Sequence, residues 1–84
     1  MQLQVFPNPC SEIANLIYSV PDIRGQNEIA LFDLHGRKVK EIPLSVGGGL
    51  HQISLDVSDL TNGLYFAELL SGDRQVMQKL GVVK

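Results

Sequence analysis

A chain of 84 residues with 44% hydrophobic content makes one small domain and is too apolar to be intrinsically disordered. Seven Lys and Arg against nine Asp and Glu give a net charge of −2, which leaves no electrostatic footprint for nucleic acid or an anionic lipid surface. Cys10 is the single cysteine, so an internal disulfide is excluded, and no apolar run approaches the ~20 residues of a membrane-spanning helix.

Gln2-Leu3-Gln4-Val5-Phe6 reads as a short strand that Pro7-Asn8-Pro9 stops, since two prolines fix φ and lack N–H donors. Ser11 to Ala14 carries weak helix-start chemistry, and Asn15-Leu16-Ile17-Tyr18-Ser19-Val20 predicts the second strand. Pro21 to Asn27 is a loop by its turn residues. Glu28 to Leu34 is the third strand, nearly continuous in apolar residues and therefore central. His35-Gly36 then predicts a two-residue hairpin connection of the primed turn types. Asp33 is expected to bond a backbone N–H two residues on, with Gly36 at positive φ. Arg37 to Ile42 returns with its charges on one side, as an edge strand does. Its basic run Arg37-Lys38-Val39-Lys40 is a solvated strand face before it is a binding patch. Pro43 ends that strand. Gly47-Gly48-Gly49 is a flexible loop and not a phosphate cradle, because no Lys-Ser/Thr follows and no helix begins there.

From Gln52 to Leu55 apolar and polar residues alternate, as in a half-buried strand. Ser58, Asp59, Thr61, Asn62 and Gly63 are turn formers, and Leu64 to Leu70 suits a pleated, mostly buried surface. Tyr65 near the start of that strand predicts a tyrosine corner, its ring in the core and its hydroxyl bonded to backbone upstream. Ser71-Gly72-Asp73 makes another hairpin turn, and Arg74 to Lys84 closes the chain as one or two strands. Residues 1–84 thus read as a single all-β domain, an Ig-like antiparallel β-sandwich of about seven strands of Greek-key type. The expected core is Ile17, Ile29, Leu31, Val39, Ile53, Leu55, Val57, Tyr65, Ala67, Leu69, Leu80 and Val82.

Catalytic chemistry is sparse. His35 and His51 lack the spacing of any metal motif, so neither a metal nor another cofactor is expected. A Cys–His nucleophile pair would need an orienting third group and an oxyanion hole, for which a small sandwich offers little concavity. Cys10 therefore reads as a small side chain at a bend, and the chain as no enzyme. Absence of Trp argues against a flat sugar-binding platform, whereas strand addition at a sheet edge stays open.

Four stretches carry a further signal. Val5-Phe6-Pro7-Asn8-Pro9 comes first, followed by Leu31-Phe32-Asp33-Leu34-His35-Gly36-Arg37-Lys38-Val39. Next is Leu60-Thr61-Asn62-Gly63-Leu64-Tyr65-Phe66, and the chain closes with Lys79-Leu80-Gly81-Val82-Val83-Lys84. Together and in this order they resemble the C-terminal sorting domain of proteins exported by the bacterial type IX secretion system, the Por secretion system sorting domain family. Two positions depart from the pattern. Cys10 stands where Ala or Thr is common, and Gly81 interrupts the terminal apolar run and weakens that strand slightly.

The resemblance implies a non-catalytic secretion signal made of folded structure. A cargo protein preceding the domain would reach the periplasm by its own signal peptide. The outer-membrane translocon and its shuttle barrel would then recognise the domain. A sortase-like surface peptidase commonly removes it and joins the cargo to an anionic lipopolysaccharide. Cleavage just ahead of the domain would make this chain the released piece, which accounts for a start without signal-peptide features. The tail residues Lys79, Leu80, Val82, Val83 and Lys84 are the expected recognition element, although the same residues could simply form the last core strand. Pro7, Asn8, Pro9, Asp33, Gly36, Arg37, Leu60, Gly63 and Tyr65 read as motif positions of mainly structural role, a docking role for Arg37 being secondary. A strand-mediated homodimer is open to any such domain with an unpaired edge. Two rivals remain at this level: a generic extracellular Ig-like or fibronectin-like spacer or adhesion module, and a small thiol enzyme built on Cys10.

Overall fold

The structure, a computed structural model, describes residues 1–20, 27–44 and 49–84. Those residues form β1 (Gln2–Phe6), β2 (Ile13–Val20), β3 (Asn27–Phe32), β4 (Lys38–Leu44), β5 (Gly49–Asp56), β6 (Gly63–Ser71) and β7 (Arg74–Val82). They make a three-stranded sheet in the order β1-β2-β5 and a four-stranded sheet in the order β4-β3-β6-β7. Every strand pair within them is antiparallel. The chain pairs β1 with β2, crosses to the hairpin β3–β4, returns to β5, and crosses again to the hairpin β6–β7. That alternation between two packed layers is the Ig-like sandwich expected from the sequence.

Alternation of side chains makes the core. Tyr65, Ala67, Leu69 and Ser71 on β6 turn inward, while Phe66, Glu68 and Leu70 between them remain half-buried. Leu3, Leu16, Tyr18, Val20 and Leu55 from the three-stranded sheet meet Ile29, Leu31, Leu80 and Val82 from the other. Nine of the twelve expected core residues are buried: Ile29, Leu31, Leu55, Val57, Tyr65, Ala67, Leu69, Leu80 and Val82.

The other three differ for physical reasons. Ile17 is half-buried, because β2 buries the phase Ala14, Leu16, Tyr18 and Val20 and leaves Asn15, Ile17 and Ser19 on the outer face. Ile53 faces its cross-strand partner Leu16 and packs against the core, but β5 is an edge strand and covers it incompletely. Val39 is 37% exposed. The β3–β4 register shifts at Leu31/Phe32, so Leu31 pairs with Lys40 and Phe32 with Lys38, and Val39 is the extra residue of a bulge.

Boundaries shift as well. Ile13 and Ala14 belong to β2, so the helix-start chemistry of Ser11 to Ala14 is overridden by sheet pairing with Asp56 and Leu55. Pro43 lies within β4 rather than ending it, which an edge strand tolerates because a missing N–H costs no ladder bond on the open side. Residues 74–82 form one strand rather than two. The loop expected from Pro21 onward falls outside the described residues up to Gln26, as do Gly47 and Gly48. Asn27 and Gly49 instead open β3 and β5.

Candidate recognition surface around the final strand

The β3–β4 turn is built by Asp33. Its backbone N–H donates to the Arg37 carbonyl at 3.0 Å and its carbonyl accepts from Gly36 at 3.1 Å. Its carboxylate accepts the N–H groups of His35 and Arg37 on one oxygen, at 2.8 and 3.0 Å, and the Arg37 Nε on the other at 2.9 Å. These bonds, led by the Arg37 N–H, hold the Asp33 carboxyl below its ordinary value. Gly36 sits at φ 80°, and no non-glycine described residue has positive φ. The connection is therefore a three-residue loop, Leu34-His35-Gly36, with glycine at its left-handed position. It is not the two-residue primed turn expected, because both primed types would need positive φ at a non-glycine residue here. A primed geometry occurs instead at the β6–β7 hairpin, where Ser71 pairs with Arg74 and Gly72 takes φ 63°.

The β5–β6 connection is a tyrosine corner, as Tyr65 predicted. The Tyr65 hydroxyl donates to the Thr61 carbonyl at 2.7 Å, and the Thr61 Oγ1 lies 3.2 Å from it. Leu60 N–H donates to Val57 O at 3.0 Å, and Val57 N–H ties the corner to Glu12 O at 2.8 Å. Asp56 caps the bend by accepting the Ser58 N–H at 2.9 Å, and hydrogen bonds from Ser58 lower its carboxyl pKa. Gly63 opens β6 at φ 156°.

These two connections lie side by side. Lys40 Nζ reaches across to Asp59 at 3.0 Å and depresses that carboxyl by its hydrogen bond. A groove of about 400 Å³ runs between them, walled by Asp33, Leu34, Arg37 and Val39 on one side and by Leu60 to Tyr65 on the other. Asp33, Arg37, Leu60, Gly63 and Tyr65, far apart in sequence, thus line one feature. Leu34 (63% exposed) and Leu64 give its rim an apolar surface.

The tail ends at the same place. Lys84 N–H donates to Asn62 Oδ1 at 3.0 Å, and Lys84 Nζ donates to the carbonyls of Val57 and Ser58. Of the residues expected to form the recognition element, Leu80 and Val82 are completely buried. Lys79, Val83 and Lys84 are exposed, Val83 by 57%. The tail is therefore core strand and surface at once, by alternate residues.

Pro7, Asn8 and Pro9, both proline bonds being cis, stand apart from the groove and run along the outer edge of β7. Asn8 Nδ2 donates to the Lys79 carbonyl at 3.0 Å, and Asn8 Oδ1 accepts the Gly81 N–H at 2.9 Å. Cys10 follows with a parallel bridge to Val82. Its N–H donates to Gly81 O at 2.9 Å, and its carbonyl accepts Val83 N–H at 2.8 Å. A Cβ built on Gly81 would meet Pro9 Cβ at 3.4 Å, an ordinary contact.

Sequence reading missed Asn62, Lys40 with Asp59, and the pairing role of Cys10. Only the Asn-Gly turn signal could have singled out Asn62. Cys10 is buried, its thiol pKa pushed up by desolvation, so it is held as the poorly nucleophilic thiol. His51 packs against Tyr18 with ring centroids 5.5 Å apart. Among the described residues no three His, Cys, Asp or Glu side chains gather as a metal site.

Comparison with known proteins matches residues 4–84 to a family described as the secretion system C-terminal sorting domain. Among solved structures, the crystal structure of dimeric latent PorU from Porphyromonas gingivalis is similar, with a TM-score of 0.72 and 25% identity over 96% of this chain. The chain spans only 9% of the length of that protein. No curated protein matches.

Proposed function

Because the chain belongs to the secretion system C-terminal sorting domain family, we propose that it directs a preceding cargo protein through the type IX outer-membrane translocon and is cleaved off at the cell surface. The partners in this reading are the translocon, its shuttle barrel and a sortase-like surface peptidase. Its path runs from the periplasm to the cell surface or medium. The domain itself contributes binding and no catalysis. The observation that carries the reading is the family match across nearly the whole chain, four motif stretches included.

Recognition is assigned to the tail, Lys79, Leu80, Val82, Val83 and Lys84, with a division of labour. Leu80 and Val82 anchor β7 in the core, while Lys79 and Val83 offer a cation and an apolar side chain, and Lys84 is exposed with its ammonium tied to the Val57 and Ser58 carbonyls. Pairing of two copies along a sheet edge fits the same reading: β4 is an edge of the four-stranded sheet, whereas the C-terminal half of β7 is covered by Pro7–Cys10, and the similar PorU is dimeric in its crystal.

The test fuses the domain to a periplasm-directed fluorescent protein in a bacterium with a type IX system. Fluorescence at the surface or in the medium, absent when the domain is omitted, supports the reading. Periplasmic retention of the fusion would leave a plain Ig-like spacer module.

A further inference from the structure

In an antiparallel ladder every second residue turns its N–H and C=O away from the neighbouring strand. On β7 the outward groups of Lys79, Gly81 and Val83 are the ones taken up by the Pro7–Cys10 segment. Cys10 uses its backbone for this, as a strand would. Asn8 uses its side chain: the carboxamide presents an N–H and its C=O on one edge, as a strand residue presents its own N–H and C=O to a neighbour, and it bonds Lys79 O and Gly81 N–H together. The flanking Pro7 and Pro9 carry no N–H, so the backbone there has few donors of its own to offer.

The residues whose backbones are held are also those whose side chains face outward. Leu80 and Val82 point into the core, so Lys79 and Val83 point to solvent from the clamped positions, while the outer side of Gly81 is covered by Pro9 and Asn8. We propose that Asn8 is a positioning residue of the sorting signal: its amide acts as a surrogate strand that fixes β7, so that the partner reads Lys79, Val83 and Lys84 on the folded sandwich and not on an unfurled tail. This rests on the reading that the tail is recognised. It adds that the recognised form is the docked one and that the motif asparagine sets it.

Two measurements decide it. In the isolated domain, Asn8→Ala should speed amide hydrogen exchange at Gly81 at least tenfold, with smaller effects through Lys84, while β3 amides keep their protection. Unchanged exchange at Gly81 would overturn the clamp whatever happens in cells. In the export assay, Asn8→Ala should lower the exported fraction severalfold although circular dichroism shows a folded domain.

A covalent lock supplies the control a merely structural role would not move. Cys10 and Val82 are bridge partners, both buried. Neighbouring strands run about 4.8 Å apart, within the span of a disulfide. Adding oxidised Val82→Cys to Asn8→Ala should raise export to the level of oxidised Val82→Cys alone, whereas Cys10→Ser in that background should remove the rescue. Normal export of Asn8→Ala, or a block of export by the lock, would overturn the proposal, the second outcome by showing that the tail must unfurl. Retention of the parent fusion itself would overturn the sorting role, while the exchange result would still report on the clamp.

Discussion

The backbone N–H of Lys84 is held by the side-chain oxygen of Asn62 at 3.0 Å, across 22 positions of sequence. The β5–β6 corner therefore fixes the tail as well as the turn. Asn62→Ala removes this bond, which at an exposed site is worth about 0.5–1 kcal/mol. Hydrogen exchange should report faster opening at Lys84 with little change in β3. Unaltered exchange at Lys84 would show that the lysine side chain alone does the holding.

Tyr65→Phe keeps the ring in the core and deletes only the hydroxyl bonded to Thr61 O at 2.7 Å. The expected loss is about 1 kcal/mol. For a domain of this size that lowers the melting temperature by about 4–8 °C. A calorimetric scan showing no shift would mean that the corner is not a stabilising contact.

Alanine at Gly36 and at Gly81 should behave differently. At Gly36 the φ of 80° is left-handed, so Ala there costs about 1–2 kcal/mol despite open space around the site. Gly81 has no such φ, and its Cβ would make ordinary contacts with Pro9 Cβ at 3.4 Å and Asn8 Oδ1 at 3.6 Å. Gly81→Ala should be neutral or slightly stabilising, since Gly loses more freedom on folding. Equal destabilisation in urea melts would contradict this contrast.

Three carboxylates, those of Asp33, Asp56 and Asp59, have lowered pKa values. The causes are, respectively, the Arg37 N–H, the hydrogen bonds of Ser58 and the Lys40 ammonium. A folded-state value below the unfolded one means stability that is complete above the unfolded pKa, ~3.9, and fades as the pH falls through the folded values. Thermal stability should thus be flat from pH 7 to about 5 with respect to these groups and decline below about 4. Asp33→Asn should flatten the acid limb; an unchanged limb would exclude Asp33 as a contributor.

Much of the fold is legible in the sequence because each layer of the sandwich leaves a local mark. The alternation on β6, the tyrosine near its start and the glycines at Gly36 and Gly72 each specify a piece of backbone within a few residues. The phase of β2 was misread at Ile17, although polar Asn15 and Ser19 share its face and point it outward. Val39 was not legible: the bulge that displaces it arises from pairing with β3, a tertiary event. The candidate site was half legible. Its motif residues could be named, yet nothing local shows that Asp33 and Tyr65 line one groove. The bonds of Asn8 join positions 71 and 73 apart, and an asparagine between prolines reads as a turn.

The burial of Leu80 and Val82 decides how the central claim is best tested. Removing Lys79 to Lys84 would also tear out core, so loss of export could follow from misfolding alone. Changing only the exposed side chains avoids this. The most direct measurement compares the exported fraction of a fluorescent fusion carrying the parent domain with one carrying Lys79→Glu, Val83→Asp and Lys84→Glu, after melting curves show both folded. The sorting account predicts export of the parent and periplasmic retention of the triple variant. Equal export of both would contradict recognition through the tail and move it to the sandwich body.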